Sequence, residues 1–436
     1  MSKNRSLSLI KEETRLPIKA PRGTKDILPQ EVGVWQYLEE TFREVCSLFS
    51  YQEIKTPVFE EAALFVRGVG EDTDIVSKEM YNFKDKGGRE LSLRPEGTAP
   101  IIRAYLEHSL YKEIPLLKLY YSGPMFRYDR PQAGRWRQFH HLGVEAIGSP
   151  QPALDGEVIA LALYFLKRLK IKELNLQLNS VGCPTCRKTY QEVLQKHLKD
   201  KLPLLCSDCQ NRFLNNPLRI LDCKKESCQE VVRTIPPIFD YLCGDCREHF
   251  EGIKEYLEEM KIKYILAPHL VRGLDYYTKT AFEITSTHLG AQNALGGGGR
   301  YDGLVETCGG PSIPAVGMAL GVERIIIALQ EERIELPLKK KEETFIATVG
   351  EEAKREGFKL LSQLRAAGLA ADLDYRPSSL KAQMRQGDKK GARFVIIIGE
   401  EELKKGLVSL RDLRQGKQEE IKKEEVIKVL KERRKL

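Results

Sequence analysis

Trp35, Leu38, Phe42, Val45 and the Leu48-Phe49 pair recur at helical spacing and predict a helix from about Gln30 to Phe49. Glu53 to Phe59 then reads as a strand, and Pro57 inside it argues for an edge or a bulge, because proline has no N–H to give to a ladder. Leu91-Ser92-Leu93 predicts a short strand that runs into the turn Arg94-Pro95-Glu96-Gly97-Thr98. A helix should begin near Pro100, capped by Thr98 or the loop before it. Two alternating runs, Leu117 to Tyr121 and Phe139 to Ile147, flank a segment containing Pro131 and Gly134, so a long hairpin is expected there. A helix over Asp155 to Leu169 and strands at Glu173 to Leu178 and Thr280 to Thr285 follow, then a strand and a helix through Pro314 to Ile326. Beyond a charged linker at Glu331 to Glu343, strands near Phe345 to Val349 and Phe394 to Gly399 alternate with helices near Glu352 to Ala367 and Ser379 to Gly387. That alternation predicts a small α/β domain with a partly parallel sheet.

At 436 residues the chain has room for two or three domains, and its 42% apolar content supports a sizeable core. No apolar run reaches membrane-spanning length, and Met1 to Leu16 is charged without the apolar centre of a secretory signal. A cytoplasmic protein without membrane contact is therefore expected, its ten cysteines reduced or metal-bound and not paired in disulfides. Net charge is +8, and Lys341 to Leu436 hold 23 Lys and Arg against 17 Asp and Glu. Most of the surplus thus sits in the last quarter, which suits a polyanionic partner.

The richest chemistry lies in Phe126 to Glu145, where Arg127, Arg130, Arg135 and Arg137 fall within eleven residues. Unpaired guanidinium groups are too costly to bury, and their planar forks grip phosphate oxygens bidentately. Glu96 and Thr98, at the start of a helix, can hold an ammonium group or simply cap the helix. Leu270 to Thr278 brings Arg272, Asp275, Tyr276 and Tyr277 to the start of a strand. Gly296 to Gly299, between apolar sequence and Tyr301-Asp302, suggests backbone approaching a ligand. Between Val181 and about Leu266 stand Cys183, Cys186, Cys206, Cys209, Cys223, Cys228, Cys243 and Cys246. C-x2-C pairs signal a metal when two converge, and the alternative is thiols without one.

The hairpin stretch resembles motif 2 of class II aminoacyl-tRNA synthetases in the form found in histidyl-tRNA synthetases. The helix and Pro57 strand are similar to motif 1. Pro314 to Ile326 is similar to motif 3, and Leu270 to Thr278 and Ala294 to Asp302 match two segments specific to the histidyl family. The resemblance implies an α+β catalytic domain with an antiparallel sheet, residues 21–335, carrying a cysteine-rich insertion at about 181–266. It also implies an N-terminal arm at 1–20, a linker at 336–342 and an α/β anticodon-binding domain at 343–436. The implied activity joins L-histidine to ATP with Mg²⁺ and passes it to tRNA(His), in a homodimer. By the same resemblance, Arg127 contacts the α-phosphate, Arg135 the outer phosphates, and Arg324 stacks on adenine. Arg272 stands by the carboxylate and α-phosphate. Glu96 and Thr98 hold the α-amino group, with Gly97 in the same histidine-binding segment, and Glu145 and Tyr277 read the imidazole with Tyr276 beside them. Arg130 and Gln132 meet the tRNA acceptor end. His141 stands where the family usually has Gln, and a neutral imidazole, with one donor and one acceptor, can substitute. Relatives that act as regulatory subunits in histidine biosynthesis lose the C-terminal domain and parts of the signatures, and this chain keeps both. Similar cysteine pairs recur in bacterial relatives without a known metal role. The reading therefore favours metal-free thiols over a structural zinc held by Cys183, Cys186, Cys206 and Cys209, or by a set including Cys243 and Cys246.

Overall fold

Helix α1 (Val32–Leu48) puts Leu38, Phe42 and Val45 into the core, as their spacing requires. The chain after it does not form one strand. β1 (Gln52–Glu53) pairs in parallel with the strand that begins at Leu117, whereas β2 (Phe59–Glu61) joins a separate three-stranded sheet with β3 (Tyr81–Lys84) and β4 (Glu90–Leu93). Pro57 lies in the gap, and the Arg94 guanidinium donates to the carbonyls of Thr56 and Pro57 at 3.0 and 3.3 Å. A side chain thus satisfies backbone that a ladder does not reach. The computed structural model describes residues 18–71, 73–130, 134–290, 293–338 and 344–433. It divides into two units, Met1–Pro337 and Leu338–Leu436.

In the first unit, α2 (Ala62–Val69) and α3 (Thr98–Glu107) precede a hairpin of β5 (Leu117–Phe126) and β6 (Gln138–Ile147). Helix α4 (Pro152–Arg168) and β7 (Leu174–Ser180) lead into four further helices. These are α5 (Pro184–Leu198), α6 (Ser207–Asn215), α7 (Glu226–Val232) and α8 (Gly244–Glu259). Strands β8 (Ile265–Leu266), β9 (Thr278–Ser286) and β10 (Ala294–Arg300), helix α9 (Leu304–Thr307), β11 (Ala315–Gly321) and α10 (Val322–Glu331) complete it. The eight-stranded sheet runs β1-β5-β6-β11-β10-β9-β7-β8, antiparallel except at its two edge pairs. Along β11 the sequence alternates small and large. Val316, Met318 and Leu320 enter the core with α4 and α1, and Gly317, Ala319 and Gly321 are left for the opposite face.

In the second unit, β12 (Thr344–Thr348), α11 (Glu351–Ala366), β13 (Ala371–Leu373), α12 (Leu380–Lys389) and β14 (Phe394–Ile398) give three parallel strands ordered β13-β12-β14. Helix α13 (Glu400–Lys405) and the antiparallel strands β15 (Leu407–Asp412) and β16 (Lys417–Lys422) follow, then α14 (Val426–Arg433). The sheet is thus mixed, parallel where helices cross over and antiparallel where a turn suffices.

Candidate active site

The small-residue face of the central sheet opens into a cavity of about 470 Å³. Close packing explains why glycine recurs there. A Cβ on Gly317 would lie 1.9 Å from the Glu145 carboxylate, and one on Gly97 or Gly143 would lie 2.4 or 2.3 Å from the Tyr121 ring. Glu145, directly across the ladder from Gly317, is 1% exposed. Its Oε1 accepts from Thr98 Oγ1 at 2.7 Å and its Oε2 from the Tyr301 hydroxyl. Burial pushes its carboxyl up to about 8. Glu145 and Gly97 lie behind the cavity wall, whereas Thr98, Tyr301, Tyr276 and Tyr277 face the space. The Tyr276 ring packs 4.8 Å from that of Tyr277 and 5.6 Å from that of Tyr301.

Thr98 does not cap α3. Glu96 does, accepting from the N–H groups of Thr98 at 2.6 Å and Ala99 at 2.8 Å, which frees the threonine hydroxyl for Glu145. The carboxylate retains further lone pairs toward the cavity.

Arginines surround this floor. Arg127 donates from Nε to the Pro95 carbonyl at 2.9 Å and lies 5.3 Å from the Phe139 ring. Arg135, at the mouth, pairs with Asp129 at 2.9 Å. Arg324, on the first turn of α10, reaches the same space beside the hairpin turn, where a Cβ on Gly134 would lie 3.3 Å from its Nε. Arg272 binds Glu283 at 2.6 Å through Nη1, and its buried Nε has no partner among the described residues. The loop that carries it is held from outside, by Arg219 donating to the Arg272 carbonyl at 3.1 Å and Arg187 to the Asp275 carbonyl at 3.2 Å. Arg130 is exposed on the hairpin loop, away from the cavity, and Gln132 falls outside the described residues.

His141 projects from β6 with its ring 5.0 Å from Phe139, edge to face. Its buried Nδ1 lacks a partner among the described residues. Burial and the nearby Arg127 push its pKa down to about 3, so the ring is neutral at pH 7. Because the unfolded imidazole protonates near 6.5 and the folded one does not, stability contributed above pH 6.5 is lost as pH falls toward 3. Lowering the pH from 7 to 5 should therefore cost the wild type about 2 kcal/mol more than His141→Gln. Urea unfolding at both pH values checks this, and parallel losses in the two proteins would refute it.

Sequence reasoning missed several groups that shape the site. Tyr121 fills the gap between Gly97 and Gly143, and Tyr301 holds Glu145. Glu323, next to Arg324, accepts from the His140 N–H at 3.0 Å and contacts its Nδ1 at 2.9 Å, tying α10 to β6. Tyr301 carried a signal, since it stands two residues beyond the glycine run. Tyr121 carried none, because its partners are distant in sequence.

The family model described as histidyl-tRNA synthetase matches residues 23–201 and 227–325, and that described as anticodon binding domain matches 343–433. The histidine–tRNA ligase of Pelotomaculum thermopropionicum is 55% identical over 413 residues, 95% of this chain and 97% of its own. That of Desulforamulus reducens is 52% identical over 95% of this chain and 99% of its own. This chain belongs to the histidyl-tRNA synthetase family. A crystal structure of the Staphylococcus aureus histidyl-tRNA synthetase superposes with a TM-score of 0.80 at 41% identity, covering 95% of this chain and 99% of that one. Both units are thus accounted for within the family, the first by the synthetase model and the second by the anticodon-binding one. The stretch 202–226, with Cys206, Cys209 and Cys223, lies between the two matched blocks. Among the described residues no helix is long and apolar enough to cross a membrane.

Proposed function

We propose that the protein is a histidine–tRNA ligase, an aminoacyl-tRNA synthetase that activates L-histidine with ATP and transfers it to the 3′-terminal ribose of tRNA(His), releasing AMP and diphosphate. The observation that carries this reading is the cavity itself, which sets five guanidinium groups, those of Arg127, Arg135, Arg219, Arg272 and Arg324, around a polar floor built on Glu145, Thr98 and Tyr301. The amino-acid carboxylate is ionised at pH 7, so its in-line attack on the α-phosphate needs no general base. Catalysis is then positioning plus neutralisation of phosphate charge. Arg127 takes the α-phosphate, Arg135 the outer phosphates, and Arg324 the adenine face. Arg272 stands where carboxylate and α-phosphate meet. The Glu79 and Asp129 carboxylates, which line the cavity with Arg127 and Arg135, would hold a Mg²⁺ ion brought in with ATP, and that ion would neutralise phosphate charge. Glu96 and Thr98 receive the α-amino group with His141 behind them. Tyr277 reads one imidazole nitrogen, supported by Tyr276, and Glu145, behind the wall, reaches the other by exchanging the Thr98 or Tyr301 hydroxyl that it holds here. Arg130 and Gln132 face the acceptor end of the tRNA, and the basic second unit takes the anticodon. The working form is a cytoplasmic homodimer.

Purified protein should exchange pyrophosphate into ATP with histidine and not with other amino acids. A site that pairs both imidazole nitrogens rejects analogues that leave its polar groups unmatched, by about 10⁴-fold or more. Equal exchange with glutamine or phenylalanine would overturn the assignment.

A further inference from the structure

We propose that the helical insertion holds two structural zinc ions, one in each of two four-cysteine clusters that the fold assembles. The first unites Cys183 and Cys186 with Cys243 and Cys246, and the second unites Cys206 and Cys209 with Cys223 and Cys228. Cys183-Cys186 is therefore not brought to Cys206-Cys209. Within each cluster the four Sγ atoms lie within 4.8 Å of one another. Cys183 stands 3.5 Å from Cys186 and 3.9 Å from Cys243, and Cys206 stands 3.9 Å from Cys223. A tetrahedral site with Zn–S bonds of about 2.3 Å has S–S edges of about 3.8 Å. The clusters thus match the ligand shell of a single ion, and a polynuclear iron–sulfur centre needs its thiolates spread further apart.

The backbone supports the same reading. Cys183, Cys206 and Cys243 each sit at the N-cap of a helix, α5, α6 and α8, with the second cysteine of the pair in the first turn. Thiolates there face the positive ends of the helices. Across each cluster a backbone N–H donates to sulfur, Cys243 N to Cys186 at 3.1 Å and Cys206 N to Cys228 at 3.2 Å. Such bonds orient ligands and offset thiolate charge.

The placement explains what the ions do. The first cluster joins the start of α5 to the start of α8, closing the neck by which the insertion leaves the catalytic sheet. The second closes a loop carrying Asn216 and Arg219. Asn216 donates to the Asp275 carboxylate at 3.3 Å, and Arg219 donates to the Arg272 carbonyl. The second ion therefore steadies the segment against which the Arg272 loop rests, so Asn216 and Arg219 are positioning residues. The insertion's own apolar core is small, and metal staples are the usual remedy for such a unit.

The test is the zinc content of the full-length protein purified without chelator, measured by mass spectrometry. About two equivalents are expected, falling to about one in Cys206→Ser/Cys228→Ser and in Cys183→Ser/Cys243→Ser. Should a variant fail to fold, cobalt replacement in the wild type serves in its place, with intense thiolate-to-cobalt absorption expected to saturate at two equivalents. Chelation should lower the unfolding midpoint, and zinc should restore it. Wild-type protein that holds no zinc, and whose midpoint and thiol reactivity do not change when zinc is added, overturns the proposal. A single equivalent, lost in only one of the double variants, overturns the other site. None of these readouts depends on aminoacylation.

Discussion

Arg272→Ala should slow histidyl-adenylate formation by about 10²–10³-fold, the usual loss when one preorganised donor to a developing charge is removed. In the proposed placement of Arg272 at the point of attack, the transition state crowds more negative charge near it than the ground state does. The loss should therefore fall on the rate and spare the affinities for ATP and histidine. Transfer from preformed adenylate to tRNA should suffer less. Arg272→Lys should recover little, because an ammonium cannot reproduce the planar fork. The ion pair with Glu283 sharpens the experiment, since a purely structural arginine would make the same 2.6 Å contact. Glu283 holds Nη1 against β10, where a Cβ on Gly297 would lie 2.9 Å from that nitrogen, and the buried Nε is left without a partner among the described residues. If the pair only braces the sheet, Arg272→Ala and Glu283→Gln should destabilise alike and impair both half-reactions together. If Arg272 acts on substrate, Glu283→Gln should keep most of the adenylation rate. Single-turnover measurement of the two steps beside a urea melt separates the cases. Equal loss in both steps would sink the catalytic role.

Asp155→Ala should destabilise the first unit by about 3–5 kcal/mol, the range for breaking a buried ion pair by removing one partner. Asp155 on α4 and Arg300 at the end of β10 are both fully buried. The aspartate binds Arg300 through both oxygens, accepts from the Thr280 hydroxyl, and lies 3.3 Å from His249 Nε2 on α8. Burial alone would raise its pKa, but the bonds from His249 and Arg300 prevail and hold it below the usual range. Without the carboxylate, the guanidinium keeps Asp302 at 3.1 Å and the Ser149 and Gln151 carbonyls at 2.9 and 3.3 Å, yet its Nε has no other partner among the described residues. The network fastens the glycine strand of the cavity to the helix beneath it, so activity should fall with stability. Asp155→Asn, which keeps the shape and not the charge, should lie between. Urea unfolding followed by near-ultraviolet circular dichroism measures this, and a loss under about 1 kcal/mol in Asp155→Ala would show that the pair contributes little.

The local pattern carried much of this protein. Alternation on either side of Pro131 and Gly134 specified the β5–β6 hairpin and the arginines near its turn. The small-large alternation of β11 specified which face of that strand enters the core, and the strand–helix alternation after the linker specified the second unit. These features depend on neighbours a few residues apart, where periodicity and turn chemistry act. Other features depended on long-range packing. The predicted strand over Glu53 to Phe59 divided between two sheets because Pro57 cannot join a ladder and Arg94 was placed to satisfy the carbonyls there. Glu145 met Thr98 across 47 residues and Tyr301 across 156, and Arg300 met Asp155 across 145. The cysteines sorted into two sets that spacing left open. The Glu145 and Arg300 contacts follow from a sheet order that sets β6 beside β11 and β10 beside β9 and from the packing of α8 on α4. No local period encodes which distant polar groups such a closure makes neighbours. Burial then obliges them to satisfy one another.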